Sequence, residues 1–411
     1  MFGLSRRWTG VVLVVAVVKI LLSAFATVPP DFQNFVQMAG YDFVSLSHGT
    51  FPFHGAYTGM GLLLAPFYGL WLSLPISHEN ELILILVMKA PIIVFDFLAG
   101  ALIYLIIAAA AKSSSYAMKG FLIWYLNPYN ILLIIMWGSV DIIPAVFLLL
   151  TILLGYRRKW SLAGLSLAVA SILRLFPILL FPAVLLHVLT QGRKATSIFA
   201  SSFLAPLVAA FAILITILGS VQAVVSTFAN LALLQPFLIF FGYPLLPDVS
   251  FNYTLRLGLL LFALQLYVMM RFWKTLSTSF LNPLLAFLLI LFAATPQQIY
   301  HFNWVTPLLT LDYVLSNRHP RLYTLLFVSV FLSWLSGVGL PTPTGPVLLL
   351  PLYNQGLSMA SELFSTLSPT LNTSHILFSG IFVGLLVCFL ISLNVRSKKG
   401  VDTRGSARTS T

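Results

Sequence analysis

Charged residues are scarce in this chain of 411 residues: Asp, Glu, Lys and Arg make up 8% of it, whereas hydrophobic residues make up 59%. A soluble protein of this length needs a charged surface that such a composition cannot supply. A single cysteine, Cys388, rules out a disulfide framework. HExxH, paired CxxC, Walker and GxSxG motifs are also missing, which argues against zinc, nucleotide and serine-hydrolase chemistry.

Apolar runs of about 18 or more residues recur along the chain and predict an all-α, polytopic membrane protein with about twelve transmembrane helices. We expect one integral membrane domain over residues 1–395 and a basic, disordered cytoplasmic tail over 396–411. The first run is predicted to be an uncleaved signal anchor. The predicted transmembrane helices lie near residues 10–28, 82–111, 120–136, 142–155, 161–173, 176–190, 195–218, 253–270, 275–295, 303–316, 322–340 and 375–393.

The net charge of +12 comes from short basic clusters between these runs, for example at 112–119, 157–159 and 193–194. Clusters in this position are typical of cytoplasmic loops rather than of a nucleic-acid surface. Both termini are then predicted inside, provided that one early apolar run does not cross. The weaker one is 57–76, which is broken by three glycines and by Pro66, so we expect it to lie at the outer interface or to re-enter the membrane.

Residues 156–194 have basic clusters at both ends, so the apolar stretch between them has to leave the cytoplasmic side and return. Each leg has about 14 residues, or about 20 Å of helix, which is shorter than a hydrocarbon core of about 30 Å. The connecting turn Arg174-Leu-Phe-Pro177 is therefore predicted below the outer surface, inside protein.

Charges inside apolar runs are the candidate functional residues, because charge in a bilayer is usually kept for function. Asp31, at the mouth of the first helix, is either a general base or a solvated loop acid. Lys89 and Asp96 share one helix face and are either ligand contacts or partners in an ion pair.

Two further charges flank a predicted outer turn. Asp141, at the end of Trp137-Gly-Ser-Val-Asp141, either binds sugar hydroxyls or orients a cation, or it caps the next helix. Arg174 presents a fork of donors suited to phosphate, or forms a buried pair with Asp96 or Asp141.

A late outer turn, Thr295-Pro-Gln-Gln-Ile-Tyr-His301-Phe-Asn-Trp304, combines polar and aromatic groups. His301 is a candidate phosphate or sugar contact, and Tyr300 and Trp304 are candidates for stacking on a ring or a polyprenyl chain. The alternative is an interfacial belt of aromatic residues.

The order of these motifs resembles that of GT-C membrane glycosyltransferases. It is most similar to the catalytic subunit of GPI mannosyltransferase I and to prokaryotic polyprenol-phosphate-mannose-dependent mannosyltransferases. The resemblance covers roughly residues 10–320. It departs from those families at Asp31, which lacks the second acid of their D-x-D, and at Arg174, where they usually have lysine. The motifs that carry it are Asn127-Pro128, WGSVD (137–141), RLFP (174–177), Lys89-Ala-Pro with Asp96-Phe-Leu-Ala-Gly, and the late Q-Y-x-x-W-x-x-P turn.

The resemblance implies a GT-C-like fold in a plasma membrane, or in the endoplasmic reticulum of a eukaryote, with an extracytoplasmic active site. A hexose, with mannose favoured, would pass from dolichyl or another polyprenyl phosphate to a lipid- or glycan-linked acceptor by inverting displacement, without metal or cofactor. Asp31 would be the base. The donor phosphate would be held by Arg174, His301 and Lys89. The sugar or the acceptor would be bound by Asp141, Asp96, Trp137, Tyr300 and Trp304. A partner subunit is left open, and the alternative function is a transporter or flippase of lipid-linked sugars.

Overall fold

In the computed structural model the protein is described over residues 6–27, 29–52, 58–75, 81–174 and 176–220, with a further helical stretch at 303–316. Shorter described pieces lie at 239–240, 243–244, 281, 284–285, 288, 323–325, 328, 348–349 and 388. Most of this part of the chain is helical, which confirms the all-α class at that level.

Most of the helices follow the predicted apolar runs, but α2 was not predicted. In chain order they are α1 (Arg6–Phe25), α2 (Pro29–Ser47), α3 (Thr58–Ser73), α4 (Glu81–Ala111), α5 (Ser114–Tyr125), α6 (Pro128–Asn130) with the π-helix Ile131–Met136, α7 (Ile142–Tyr156), α8 (Trp160–Leu173), the 3₁₀ helix Phe176–Leu180, α9 (Phe181–Leu189), α10 (Arg193–Leu218) and α11 (Thr306–Ser316). The described strands are two residues long: β1 (Ala26–Thr27) pairs antiparallel with β4 (Leu348–Leu349), and β2 (Ile239–Phe240) pairs antiparallel with β3 (Tyr243–Pro244).

Two of the described helices, Leu82–Ala111 and Arg193–Ile217, are long and apolar enough to cross a membrane by length and composition. Shorter apolar helices cover Thr9–Ala24, Gly59–Ser73, Ile142–Tyr156 and Trp160–Leu173. The predicted spans at 253–270, 275–295, 322–340 and 375–393 lie wholly or mostly outside the described residues, so twelve spans stay a prediction.

Local sequence signals explain where the middle helices begin. The Ser113 hydroxyl caps α5 by accepting from the Tyr116 amide, and the Asn127 side chain caps α6 by accepting from the Tyr129 amide. Pro128 occupies the first position of α6, where its missing N–H costs no hydrogen bond. The predicted span 120–136 is thus two helical pieces joined at Leu126.

Contacts between the helices fix their relative directions. Position 107 of α4 lies against position 120 of α5, and position 96 lies against position 124. Position 89, nearer the start of α4, contacts position 135 of the π-helix. Because the numbers fall along α4 as they rise along α5 and the π-helix, these two helices run antiparallel to α4. Helix α7 runs parallel to α4, because Gly138 lies against Lys89 and Phe147 lies against Phe95.

Helix α8 runs antiparallel to α7. The Ser166 hydroxyl donates to the Phe147 carbonyl at 2.8 Å, and the Thr151 hydroxyl lies 3.5 Å from the Ala163 carbonyl. The end of α9 returns to the start of α8, where the ring centroids of His187 and Trp160 are 6.2 Å apart. The turns at 112–113, 157–159 and 190–194 therefore share one end of the helices, which we call the basic end.

Helix α3 corrects one detail of the sequence-based prediction. Its glycines and Pro66 do not interrupt the helix, which is continuous from Thr58 to Ser73. A Cβ at Gly59 would lie 2.6 Å from the Ile172 carbonyl oxygen, and one at Gly61 would meet the Asp42 carboxylate. Small residues of this kind allow close helix packing, so they mark contacts of α3 with α8 and α2.

Candidate functional site

Residues 137–141, which we call the polar turn, lie between the π-helix and α7 at the end opposite the basic end. Trp137, Ser139 and Asp141 are 5%, 3% and 1% exposed. Gly138 has a φ of 82°, in the left-handed region that favours glycine, and this conformation turns the chain from one helix into the next. The turn is therefore a buried feature rather than a surface loop.

Lys89 of α4 lies against the polar turn and is almost completely buried. Its Nζ donates to the carbonyl oxygens of Ile135 at 3.2 Å, Met136 at 2.8 Å and Ser23 at 3.2 Å. Residues 135 and 136 end the π-helix, whose last carbonyls need donors from outside the helix. The ammonium group thus binds at the negative end of that helix dipole.

Arg174 reaches the polar turn from the other side. It follows the last residue of α8 with an extended backbone (φ −152°, ψ 132°), and its Nε lies 3.0 Å from the Asp141 Oδ1. Asp141 precedes α7 but makes no side-chain capping bond. The structure therefore shows Asp141 beside a cation, and the Asp141 side chain does not cap α7.

The depth of this pair agrees with the predicted short helices. Helix α7 has 15 residues and α8 has 14, so each spans about 21–22 Å from the basic end. A hydrocarbon core is about 30 Å thick. If the basic end is at one membrane surface, Arg174 and Asp141 lie below the other, in agreement with the expected position of the 174–177 turn.

Asp96 does not pair with Lys89, the partner that its spacing along α4 had suggested. Its Oδ2 instead lies 2.6 Å from the Nζ of Lys19 in α1, and both side chains are buried. The Lys19 ammonium is also 3.9 Å from the centroid of the Tyr125 ring. Sequence inspection missed Lys19, although a cation inside the first apolar run was itself a signal.

Ser139 is a further residue that the sequence did not single out by chemistry. Its backbone N–H donates to the Leu133 carbonyl at 3.1 Å, but its buried hydroxyl has no hydrogen-bond partner in the described part of the chain. The hydroxyl sits in the five-residue turn between Gly138, which contacts Lys89, and Asp141, which pairs with Arg174. A buried polar group without a partner suggests a ligand or water position.

The structure thus brings together Lys89, Trp137, Asp141 and Arg174 around the polar turn, and it places Asp96 two helical turns away on α4. Asp31 lies on α2, but its side chain is outside the described part, and so are Tyr300 and His301. Trp304 is buried just before α11. Where the structure describes the chain, no three His, Cys, Asp or Glu residues lie together as metal ligands would.

Comparison with known sequences gives the family. The model of the family described as "GPI transamidase subunit PIG-U" matches residues 12–242, which is 231 of the 411 residues and more than half of the chain. The matched region runs from within α1 to beyond the end of α10 and contains the polar turn and both buried ion pairs. No curated protein matches the chain.

This match overturns the expected enzyme activity. GPI transamidase attaches proteins to GPI anchors, which is a different activity from hexosyl transfer, so the assignment as a hexosyltransferase is wrong. Transfer of mannose from a polyprenyl phosphate loses its support for the same reason. The coarser expectation, a membrane protein of GPI processing, is confirmed. The chain belongs to the GPI transamidase subunit PIG-U family.

Proposed function

We propose that this chain is a membrane-embedded subunit of a GPI transamidase and that its polar turn binds the phosphate-bearing headgroup of the GPI lipid. Family membership supports the first half of the proposal. The second half rests on one observation: the Ser139 hydroxyl, which has no hydrogen-bond partner among the described residues, lies in a buried turn flanked by the cations Lys89 and Arg174.

Each of these groups suits a phosphodiester. A serine hydroxyl donates one hydrogen bond, and bonds to a charged acceptor are stronger than neutral ones. Arg174 and Lys89 supply positive charge where the low dielectric strengthens its effect. Asp141 orients Arg174, and Trp137, the first residue of the turn, offers an apolar ring surface to a sugar.

The other buried charges have a positioning role in this proposal. Asp96 and Asp141 each lie beside a cation, at 2.6 Å and 3.0 Å respectively, and this pairing offsets part of the cost of a charged side chain at membrane depth. Such pairs hold short or interrupted helices together rather than transfer a proton. Within the complex, bond formation at the anchor is therefore assigned to a different subunit.

The orientation of the chain follows from its basic end. Clusters of Lys and Arg between membrane helices favour the cytoplasmic side. In an endoplasmic reticulum membrane, the polar turn would then lie on the lumenal half of the bilayer. Trp304, Tyr300 and His301 remain candidate contacts for the same lipid.

The test is to purify the transamidase complex through a tag on this chain and to measure cross-linking by a photoactivatable GPI lipid. Ser139→Ala is expected to lower cross-linking about tenfold, because a hydrogen bond to a charged group contributes about 1.5 kcal/mol. Ser171→Ala is the matched control: this serine is equally buried and lies three residues before Arg174, but its hydroxyl donates to the Leu167 carbonyl at 2.8 Å.

Attachment of a GPI-anchored reporter in cells lacking the native chain should fall with Ser139→Ala and stay normal with Ser171→Ala. Equal lipid cross-linking by the two variants in a fully assembled complex would refute the headgroup site. Movement of labelled lipid between leaflets by the reconstituted chain alone would contradict the proposal in favour of the transporter alternative.

A further inference from the structure

Two basic turns that are far apart in the sequence lie at the basic end. Residues 157–159 join α7 to α8, and Arg193 and Lys194 begin α10. Helices α8 and α10 pack closely: the Ser161 and Ser202 hydroxyls are 3.1 Å apart, and Gly164 faces the Phe199 carbonyl. The Trp160–His187 ring contact brings the end of α9, and with it the start of α10, to the first turn of α8.

The side chains of these five cations are exposed. Within the described ranges, none of them forms a side-chain hydrogen bond or an ion pair. Their charge is therefore not compensated by that part of the protein. Together Arg157, Arg158, Lys159, Arg193 and Lys194 form what we call the cationic patch.

The two helix N-termini in this patch add to its positive potential. Lys159 and Gly192 occupy the capping positions of α8 and α10, and neither makes a side-chain capping bond. The first turns of both helices contain no acidic residue. A helix N-terminus is the positive end of the helix dipole, so cations placed there favour an external anion.

We propose that the cationic patch binds the headgroups of anionic phospholipids in the leaflet at the basic end. The helices that start and end at these turns are apolar, and Arg193–Ile217 is of membrane-spanning length, so the cations lie where lipid phosphates lie. A membrane is therefore the partner that this position favours over nucleic acid or a soluble acidic protein. The inference does not depend on the headgroup site at the polar turn.

Basic loops orient a membrane protein by staying on the cytoplasmic side, which explains why this end carries positive charge. Orientation alone does not require that two separate basic turns lie close together in one patch. Juxtaposed cations near a membrane each contribute about 1 kcal/mol of attraction to anionic lipid, and the attraction falls with ionic strength. One such contribution corresponds to an enrichment of about fivefold.

The experiment places the full chain, in its complex, in phosphatidylcholine nanodiscs that contain a minor fraction of phosphatidylserine. Photoactivatable analogues of each lipid report the ratio of cross-links near the basic end. We expect about fivefold preference for phosphatidylserine at low salt. The preference should be lost in Arg157→Gln/Arg158→Gln/Lys159→Gln and be reduced in Arg193→Gln/Lys194→Gln.

Lys112→Gln/Lys119→Gln is the matched control, because it removes two exposed cations from the turn and first helix after α4 and leaves the cationic patch intact. It should keep the preference. Arg157→Lys/Arg158→Lys retains the charge and should also keep it, which separates loss of charge from misfolding. Equal preference in the control and in the triple glutamine variant would overturn the proposal, and so would full displacement of the lipid by inorganic phosphate.

Discussion

Asp96→Asn is expected to destabilise the protein strongly, because it leaves the Lys19 ammonium inside the membrane without its carboxylate partner. Asp96 lies at the centre of α4, with fifteen residues on either side between Glu81 and Ala111, so the pair is about 22 Å from each helix end. Lys19 and Asp96 are fully buried and lie 2.6 Å apart. Water cannot replace the lost partner at this position.

The magnitude follows from two estimates. Breaking a buried ion pair by removing one partner costs about 3–5 kcal/mol. A lysine at the centre of a membrane helix costs about 2.5–3.5 kcal/mol. The Tyr125 ring, 3.9 Å from the Lys19 ammonium, retains about 0.5–2 kcal/mol of attraction. We therefore expect Asp96→Asn to lower the free energy of unfolding by about 3 kcal/mol.

The measurement is a double-mutant cycle in detergent, with unfolding followed during titration with sodium dodecyl sulfate. Asp96→Asn/Lys19→Met removes both charges and should cost only about 1 kcal/mol, because no charge remains buried alone. The single variant Lys19→Met completes the cycle. The coupling energy is the loss in the double variant minus the losses in the two single variants, and its magnitude should be about 2 kcal/mol or more. If Asp96→Asn alone is as stable as the double variant, the Lys19–Asp96 ion pair does not stabilise the packing of α1 against α4, and the reasoning is refuted.

Two glycine substitutions test the close contacts. Gly138→Ala should lower the free energy of unfolding by about 2 kcal/mol or more, because φ is 82° and the new Cβ would lie 3.0 Å from Lys89 Cε. Gly49→Ala, at a similar φ of 71° but with no atom within 4 Å of its Cβ, should lose less, and an equal loss would show that the Lys89 contact is unimportant. Gly59→Ala should lower the free energy of unfolding by about 1–3 kcal/mol, because the new Cβ separates α3 from α8. Gly10→Ala is its control: this helical position has open space around it, so the substitution should be neutral or raise the free energy of unfolding by about 1 kcal/mol. The unfolding midpoint in the same titration measures all four variants, and a stable Gly59→Ala protein would contradict the α3–α8 contact.

The helices of the first half could be predicted because hydrophobic run length and basic clusters are local signals. The predicted spans 82–111 and 195–218 correspond closely to α4 and α10. The short legs at 161–173 and 176–190 correspond to α8 and to the 3₁₀ helix with α9. Contacts along α4, α7 and α8 give the alternating directions that the basic clusters had indicated.

The partners of the buried charges could not be predicted from spacing alone. Lys89 and Asp96 are seven residues apart on one helix face, yet each interacts mainly with a different neighbouring element. A side chain at membrane depth pairs with whichever helix packs beside it. That neighbour is set by tertiary packing, so Lys19 was overlooked as the partner of Asp96.

The sequence-based assignment of activity failed for a related reason. Buried charges beside short helices suit a glycosyltransferase site, but they also suit the internal pairs that hold such helices together. The order of motifs placed the chain among membrane proteins of GPI processing and did not distinguish these two uses. The family match then excluded hexosyl transfer.

Composition and the spacing of charges along the chain determined the membrane class, the helix lengths and the basic end, because each depends on a continuous stretch of residues. Only the tertiary structure decided that Lys89 binds the end of the π-helix, that Arg174 pairs with Asp141, and that the turns at 157–159 and 190–194 lie at the same end of the helices. Each of these contacts joins residues from separate helices, and their distance in space depends on how those helices pack.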